Sequence, residues 1–431
     1  MGNLRVQGAE VITMADGCQV HSGWTLEAVD GVITYVGPGD RFQPSGEADD
    51  LLDGTNRLLL PGFVNAHTHA AMTLLRGSAD DMELKPWLEG KIWPVEMRLA
   101  PNDVYWGTML AIAEMLRAGV TCFNDMYHAP EEGTRAALEA GIRMCPSGVL
   151  LGFVPGAEER LMQAAEFCRE YDEAGGGRIK PMIAPHAPYT CPRLMLEKVI
   201  AQADEIGVPI HIHLAETEEN VQFALDNYGK RTIQAMQEVG LFSVFVSAAH
   251  CVHLDDTDVK ILAESRVGVA HCPGSNMKLS SGIAPVARLL AAGATVGLGT
   301  DGCASNNNLD LLEEARLAAL LAKLDTGDPT VVPAEQALTL ATRGGAEALN
   351  LGDRIGTLEV GKRADAILID LDQPHLYPRH SLPSHLIYAA RAGDVRTTIV
   401  DGKVLLRDGE FTDLDEAEII ARACETARRL F

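Results

Sequence analysis

The sequence lacks the features of secreted, membrane-spanning and disulfide-stabilised proteins. Its nine cysteines include no CxxC pair, and an odd number of scattered cysteines does not imply a disulfide framework. It has no apolar run of about 18 residues or more, the length that a transmembrane helix needs. The N-terminus has no basic segment followed by an apolar one, as a signal peptide would have. We therefore expect a cytoplasmic protein with free thiols.

Positive charge is also scarce in this chain. Lys and Arg number 36 against 60 Asp and Glu, which gives a net charge of −24. A chain this acidic is repelled by phosphate backbones and by anionic lipid, and its basic residues form no cluster that would offset this repulsion. We therefore expect neither nucleic acid nor a membrane surface as a partner. The hydrophobic content of 47% is that of an ordinary globular protein.

The two ends of the chain differ from its middle. Residues 1–58 and 355–431 contain short alternating runs broken by Gly, Asp and Pro, a pattern typical of β-hairpins. We predict that both ends pair into one small β-sandwich domain. The apolar spacing of LDEAEIIARACETARRLF adds a C-terminal helix to it.

The middle of the chain, residues 59–354, contains eight apolar runs that alternate with helical stretches. The runs are LLLPGFVNAHTH, VTCFNDM, RMCPSGVLL, KPMIAPHAPY, VPIHIHLAET, VFVSAAHCVHL, VGVAHCPGSN and ATVGLGTDGCASN. Eight strand–helix repeats with nearly continuous apolar strands predict an α/β fold, a parallel (β/α)8 barrel of the TIM type. A doubly wound open sheet is the alternative, weakened because no GxGxxG follows the first strand.

Polar residues recur where these runs end. They are His67, His69, Asp125, His186, His213, Glu216, His250, His271 and Asp301. In a barrel the carboxyl ends of the strands meet on one face, where the active site is built. Because residues two apart on a strand point the same way, His67 and His69 can both face the barrel axis.

Each of these residues also has an ordinary structural explanation. An HxH pair can be a polar strand end, Asp301 in GTDG can belong to a turn or helix cap, and His250 can be a hydrogen-bonded core residue. Taken together, however, they predict a metal site of three His and one Asp. This donor set suits Zn²⁺, Fe²⁺ or similar ions and leaves a position for water.

Five motifs resemble one known family along essentially the whole chain. They are PGFVNAHTH, HIHLAET, AAHCVHL, HCPGSNMKL and GTDGCASNNNLDL. The chain resembles the amidohydrolase superfamily and, within it, the 5-methylthioadenosine/S-adenosylhomocysteine deaminases. Triazine hydrolases and guanine deaminases share parts of these motifs and remain alternatives.

The resemblance implies a role for each matching residue. It makes His67, His69, His213 and Asp301 the metal ligands. It makes Glu216 the proton-shuttling carboxylate and His250 the residue that polarises the attacking water. Glu96 and His186 would contact the ribose, and Trp87 would be an aromatic contact near the purine or alkylthio end. Asp301 would also act as the catalytic base. In some relatives two arginines bind the homocysteine carboxylate. In this chain Ser147 lies at the position expected for one of them, and Arg160 is the candidate for the other.

The resemblance also implies the cofactor and the reaction. Relatives with two metals carry a bridging lysine on the fourth strand, but here that strand ends in His186 and Lys180 lies near its start. We therefore expect one divalent metal per subunit, Zn²⁺ first, with Fe²⁺, Mn²⁺ and Ni²⁺ open. The implied function is hydrolytic deamination of a small-molecule adenine nucleoside. A different heterocycle hydrolase, a non-catalytic barrel and a homo-oligomer stay open.

Overall fold

The computed structural model describes residues 2–431, which form two β-sheets surrounded by helices. The strands are β1 (Asn3–Val11), β2 (His21–Val29), β3 (Val32–Pro38), β4 (Asp50–Asp53), β5 (Arg57–Pro61), β6 (Phe63–Thr68), β7 (Val120–Tyr127), β8 (Arg143–Leu150), β9 (Ala184–Pro185), β10 (Ile210–Leu214), β11 (Val246–His250), β12 (Val267–His271), β13 (Thr295–Leu298), β14 (Ala366–Asp370), β15 (Val395–Val400), β16 (Lys403–Arg407) and β17 (Glu410–Phe411).

The helices lie mainly between the strands of the central region. They are α1 (Leu84–Trp87), α2 (Trp93–Glu96), α3 (Pro101–Arg117), α4 (Pro130–Ala140), α5 (Ala157–Tyr171), α6 (Ala174–Gly177), α7 (Arg193–Ile206), α8 (Glu218–Tyr228), α9 (Thr232–Val239), α10 (Asp256–Glu264), α11 (Pro273–Lys278), α12 (Val286–Ala291), α13 (Leu311–Thr326), α14 (Ala334–Ala341), α15 (Arg343–Ala348), α16 (Leu382–Tyr388) and α17 (Glu416–Leu430). Short 3₁₀ helices span Gly39–Arg41, Ala70–Leu75, Leu241–Ser243, Pro374–Leu376 and Ala392–Asp394, and a π-helical turn spans Leu88–Ile92. Across residues 2–431 no helix is long and apolar enough to cross a membrane.

The central sheet is the predicted eight-stranded parallel barrel. Its strands are hydrogen-bonded in the order β10-β11-β12-β13-β6-β7-β8-β9, and all pairs are parallel. Ile183, just before β9, pairs in parallel with Ile210 of β10 and closes the ring. Strands β6, β7, β10, β11 and β12 are buried along their full lengths. Burial on both faces explains why these strands are apolar runs rather than alternating ones.

The first predicted run divides into two strands at Gly62. Strand β5 pairs with β14 of the second sheet, whereas β6 belongs to the barrel. A Cβ atom on Gly62 would lie 2.1 Å from Oγ1 of Thr121, so only glycine fits where the chain passes between the sheets. The expected domain boundary at residue 58 therefore falls inside β5, and we propose Gly62 as the boundary instead.

The second sheet is built from both chain ends, as the sequence predicts. It has nine strands in the order β17-β16-β15-β14-β5-β1-β2-β3, with β4 paired to β1. One apolar cluster contains side chains from strands that are distant in this order, such as Ile33 of β3 and Val404 of β16. The sheet therefore curls around a core of its own, as the two layers of a sandwich would.

The C-terminal helix α17 packs against the barrel helix α3 rather than against the second sheet. Arg117 of α3 forms a two-point ion pair with Glu416, at 2.7 and 2.6 Å, and Arg429 pairs with Asp103. The sequence pattern assigns this helix to the small domain, but it packs on a helix of the barrel. We therefore propose to assign α17 to the barrel domain.

A buried ion cluster joins the barrel to the second sheet. Arg143 of β8 is 1% exposed and donates to both carboxylate oxygens of Asp365, at 2.9 and 3.0 Å. It also donates to Asp401 at 3.3 Å. Both aspartates lie in the C-terminal part of the chain, so this cluster links the two sheets through charge.

Candidate active site

The strand ends of the barrel enclose a cavity of about 660 Å³. The residues of sequence-predicted function that line it are His69, Trp87, Glu96, Arg160, His186, His213, Glu216, His250 and Asp301. His67 lies directly behind them and is fully buried. The fold thus brings residues from eight separate segments of the chain to one face of the barrel.

Four side chains form a compact donor cluster at the bottom of this cavity. Nε2 of His67 and Nε2 of His69 each lie 3.3 Å from Oδ1 of Asp301, and Nε2 of His213 lies 3.4 Å from Nε2 of His69. Four ligands about 2.1 Å from a shared ion in tetrahedral geometry stand about 3.4 Å apart, so these spacings suit a metal. Nε2 of His67 is buried without a hydrogen-bond partner, which a cation would satisfy.

Backbone carbonyl groups fix the orientation of two of these imidazoles. Nδ1 of His69 lies 2.6 Å from the carbonyl oxygen of Met126, and Nδ1 of His213 lies 2.7 Å from that of His186. Because a carbonyl oxygen can only accept, each Nδ1 carries the proton and each Nε2 keeps its lone pair. Burial holds the pKa of His213 well below its usual value, which keeps the ring neutral as metal binding requires.

His67 is oriented by a second histidine. Nδ1 of His211 lies 2.9 Å from the carbonyl oxygen of Ser247, so this nitrogen is protonated and Nε2 of His211 is an acceptor. That Nε2 lies 2.8 Å from Nδ1 of His67, which therefore donates and leaves Nε2 of His67 unprotonated. Burial lowers the pKa of His67 to about 4 and that of His211 well below its usual value.

Asp301 follows β13 and is held by hydroxyl and amide donors. Its backbone has a φ of 60°, in the left-handed region, and the carboxylate accepts from Ser275 at 2.6 Å, Ser305 at 2.9 Å and the Gly302 amide at 2.8 Å. Burial alone would raise the pKa of Asp301, but the adjacent imidazoles hold it well below its usual range. The carboxylate is therefore ionised and fixed in direction.

Glu216 and His250 form a second pair beside this cluster. Nε2 of His250 lies 3.9 Å from Oε2 of Glu216, and Ser281 donates to Oε1 at 3.2 Å. His250, with a φ of 71°, is oriented by Asn276, whose Oδ1 lies 3.0 Å from Nδ1. Burial raises the pKa of Glu216, which favours its protonated form. The pair can therefore offer one proton donor and one nitrogen acceptor.

Glu96, Trp87 and His186 also line the cavity. Glu96, at the end of α2, lies 3.7 Å from Nε2 of His128. Burial would raise the pKa of Glu96, but the contact with His128 lowers it overall, so the carboxylate is ionised. The ring of Trp87 is 4% exposed, and Nδ1 of His186 lies 3.1 Å from the Thr190 hydroxyl.

The two residues expected near a carboxylate group differ in placement. Arg160 is exposed at the rim of the cavity. Ser147 does not line the cavity, because it is buried in β8 and its hydroxyl donates to the carbonyl oxygen of Asp125 at 2.8 Å. The expectation for Ser147 therefore differs from the structure. Lys180 is bound to Asp172 and Glu173, at 2.6 and 3.0 Å.

Sequence reasoning missed the residues that orient the predicted ones. Ser275 and Asn276 lie inside the HCPGSNMKL motif and Ser305 lies inside GTDGCASN, but these motifs alone do not indicate which side chains the three residues contact. Tyr127 and His128, which line the cavity beside Glu96, have no signal in the sequence apart from their position at the end of a barrel strand and just after it.

The fold and donor set define a barrel protein with a centre for a divalent metal. Residues 58–405 match the sequence model of the Amidohydrolase family. A protein from Pelotomaculum thermopropionicum named 5-methylthioadenosine/S-adenosylhomocysteine deaminase is 49% identical over 430 residues, which cover 100% of this chain and 99% of that protein. A protein of the same name from Desulforudis audaxviator is 51% identical over 427 residues, with 99% of each chain covered. The chain belongs to the amidohydrolase family, in the branch of the 5-methylthioadenosine/S-adenosylhomocysteine deaminases.

Solved structures agree with this placement. An adenosine deaminase from Xanthomonas campestris with bound zinc has a TM-score of 0.94 and 37% sequence identity, over 99% of this chain and 98% of that chain. An atrazine chlorohydrolase from Arthrobacter aurescens complexed with zinc has a TM-score of 0.89 at 23% identity, over 98% of this chain and 100% of that chain. The latter similarity shows the fold alone. The chain is an enzyme of the hydrolase class.

Proposed function

We propose that this enzyme deaminates adenine nucleosides, with 5′-methylthioadenosine, S-adenosylhomocysteine and adenosine as candidate substrates. The supporting observation is one cavity that is lined both by His69, His213 and Asp301 of the donor cluster and by the ionised Glu96. A purine ring with its attached ribose has an amino group to meet the cluster and a pair of hydroxyl groups to meet the carboxylate. The names of the relatives agree with this class of substrate.

The proposed centre contains one divalent cation, held by His67, His69, His213 and Asp301. Zn²⁺ is the first candidate because three neutral imidazoles and one carboxylate suit it, and because the structure from Xanthomonas campestris contains zinc. A cation in such a site supplies Lewis-acid activation of water, which provides hydroxide near neutral pH. Lys180 is engaged in surface ion pairs, which supports a single ion.

The chain's own residues then move the protons. The unprotonated Nε2 of His250 accepts a hydrogen bond from the attacking water and directs its oxygen at C6 of the purine. The Asp301 carboxylate takes the proton that this water loses. Glu216, whose pKa is raised by burial, donates a proton to ring nitrogen N1 as the oxygen attacks C6. Asp301 then delivers its proton to the amino group, which leaves as ammonia, while the new hydroxyl group on C6 returns a proton to Glu216 and becomes the carbonyl group of the product.

The rim of the cavity favours an apolar group on the 5′ carbon of the ribose. Met97 is 81% exposed and Phe153 is 60% exposed, although both line the cavity. A methylthio group placed against them would remove apolar surface from water. The exposed guanidinium of Arg160 is the candidate partner for the carboxylate of S-adenosylhomocysteine. We therefore rank 5′-methylthioadenosine above S-adenosylhomocysteine.

The test is a comparison of kcat/KM for 5′-methylthioadenosine, S-adenosylhomocysteine, adenosine, guanine and a triazine, scored by ammonia release. We expect turnover of the three nucleosides. Turnover of guanine or the triazine without any nucleoside would refute the proposal. The triazine and guanine hydrolases of known structure share too little sequence with this chain to favour their substrates.

Two variants test the roles of the residues. Glu216→Gln should lose kcat by about 10²–10⁴-fold, the usual contribution of a positioned proton donor, and should retain its metal by elemental analysis. His67→Ala should lose both metal and activity. Glu264→Gln, at an exposed position on α10, is the matched control and should behave like wild type. A Glu216→Gln enzyme with full metal and near-full activity would contradict the assignment.

A further inference from the structure

Two segments that follow neighbouring barrel strands support the two groups proposed to act on the attacking water. The β12 segment, residues 272–281, follows strand β12, and the β13 segment, residues 299–307, follows strand β13. Asn276 in the first segment orients His250, and the second segment contains Asp301. One side-chain atom of His250 and one of Asp301 lie within 4.8 Å of each other. The relative position of the two segments therefore sets how both groups meet one water molecule.

Glu314 of helix α13 forms a hydrogen bond to each of these segments. Its side chain is fully buried. Oε2 accepts from the backbone amide of Gly274 in the β12 segment at 2.9 Å, and Oε1 accepts from Nδ2 of Asn306 in the β13 segment at 2.8 Å. Each carboxyl oxygen has a lone pair whether or not the group is protonated, so both contacts can form in either state. One side chain thus bridges the two segments from behind.

The contact with Gly274 takes the place of a helix cap. The N-cap residue of α11, Cys272, makes no side-chain hydrogen bond to the helix. The Gly274 amide is one of the donors left free at that end of a helix, and Glu314 supplies its acceptor. A Cβ atom on Gly274 would lie 2.3 Å from Oε1 of Glu314 and 2.9 Å from Oδ1 of Asn306, so a larger residue would displace the bridge. Helix α11, which carries Asn276, is thereby anchored to α13.

The contact with Asn306 extends to the backbone beside Asp301. Nδ2 of Asn306 also donates to the carbonyl oxygen of Thr300 at 2.8 Å, and Thr300 directly precedes Asp301. The two segments meet a second time where Ser275 donates to the Asp301 carboxylate at 2.6 Å. A shift of Glu314 would therefore move the backbone and the hydrogen-bond donor that fix the direction of this carboxylate.

We propose that Glu314 is a positioning residue that holds His250 and Asp301 at the spacing the reaction requires. Glu314 does not line the cavity, so it acts through the two segments rather than by contact with the substrate. Proton transfer needs the reacting atoms within hydrogen-bond distance, and a small displacement therefore lowers the rate of the chemical step more than it weakens binding. This inference rests on the proposed function, since it concerns the water that attacks the purine.

The first test separates kcat from KM. Glu314→Gln keeps the shape of the side chain but replaces one acceptor oxygen with an NH₂ donor, which would face the donor of Gly274 or of Asn306. We expect kcat for adenosine to fall by about 10–100-fold, with KM changed by less than about twofold and with metal content retained by elemental analysis. Asn306→Ala, at a partly exposed position, removes the same link from the other side and should give the same split. Glu313→Gln, partly exposed on the same helix, is the matched control.

A double variant tests whether Glu314 acts through the support of His250. If it does, Glu314→Gln combined with Asn276→Ala should lose clearly less kcat than the product of the two single losses, because both substitutions release the same imidazole. A general loss of stability would give the full product. Full multiplication of the two losses, or a rise in KM with kcat unchanged, would overturn the proposal.

Hydrogen–deuterium exchange gives a readout that does not depend on turnover. With and without added metal, Glu314→Gln and Asn306→Ala should both speed amide exchange in the β12 segment and in the β13 segment, and Glu313→Gln should leave both at the wild-type rate. Wild-type exchange rates in both segments of Glu314→Gln would overturn the proposal. Failure of the wild-type enzyme to act on any nucleoside would instead refute the proposed function, so the two failures are distinct.

Discussion

The ion cluster around Arg143 gives the sharpest prediction about stability. Replacing Arg143 with Met keeps an apolar side chain of similar length but removes the guanidinium, which donates to Asp365, to Asp401 and to the carbonyl oxygen of Gly177 at 3.0 Å. Asp365 and Asp401 are 2% and 3% exposed. The substitution would therefore leave two carboxylates buried without their main shared partner, although Arg363 still contacts Asp401.

The size of the effect follows from this burial. Removing one partner of a buried ion pair costs about 3–5 kcal/mol in the free energy of unfolding, because an uncompensated charge remains. For a chain of this length, the usual entropy of unfolding per residue converts that loss to a fall in Tm of about 3–6 °C. An exposed pair gives a much smaller value, about 0–1 kcal/mol.

The assay is urea unfolding followed by circular dichroism, with calorimetry for Tm. The matched control is Arg193→Met, which removes an arginine with a 57% exposed side chain from its pair with Glu197. Adding Asp365→Asn to Arg143→Met should recover part of the lost stability, since it removes one stranded charge. If Arg143→Met cost no more than Arg193→Met, the argument that this cluster joins the two sheets would be wrong.

Three other predictions concern the site and its surroundings. Asn276→Ala should lower kcat by about tenfold or more without loss of metal, measured by steady-state kinetics and elemental analysis, because Asn276 orients His250. Arg160→Ala should lower kcat/KM for S-adenosylhomocysteine by about fivefold at most and leave 5′-methylthioadenosine unchanged, since an exposed ion pair contributes about 1 kcal/mol or less; a hundredfold loss would contradict this. Burial raises the pKa of Glu314 to about 8, well above its unfolded value of about 4.3, so its stabilising contribution is present below that value and is lost as the pH rises through 8. Urea unfolding at pH 5 and pH 8.5 should therefore show that the free energy of unfolding of the wild type falls by about 2–4 kcal/mol more than that of Glu314→Gln. An equal change in the two proteins would refute the raised pKa of Glu314.

The barrel was predictable because its signal is repeated eight times along the chain. Parallel strands buried on both faces have to be apolar, and the turns between elements use Gly, as at Gly141, Gly207 and Gly240, where a left-handed residue ends a helix. The fourth strand was the weakest element. Its regular strand is only Ala184–Pro185, with Ile183 adding an isolated bridge to β10, because the prolines of KPMIAPHAPY remove backbone donors from it.

Other features depended on contacts that local sequence does not encode. The apolar spacing of α17 predicts a helix with one buried face, but it does not say which surface covers that face. Ser147 is similar, because a residue of a barrel strand points to one side or the other, and the motif alone does not fix which. Its hydroxyl is bound to the Asp125 carbonyl instead of facing the cavity.

The donor cluster of His67, His69, His213 and Asp301 shows most clearly which features the sequence does not predict. The HxH pair suggested two imidazoles side by side on one strand, but β6 ends at Thr68 and His69 lies beyond it. A different strand or strand end orients each ring: His211 of β10 orients His67, the Met126 carbonyl of β7 orients His69, and the His186 carbonyl after β9 orients His213. Spacing and motif resemblance can therefore indicate which residues are candidate ligands. Only the closed barrel supplies the acceptors that turn their Nε2 atoms toward a common point.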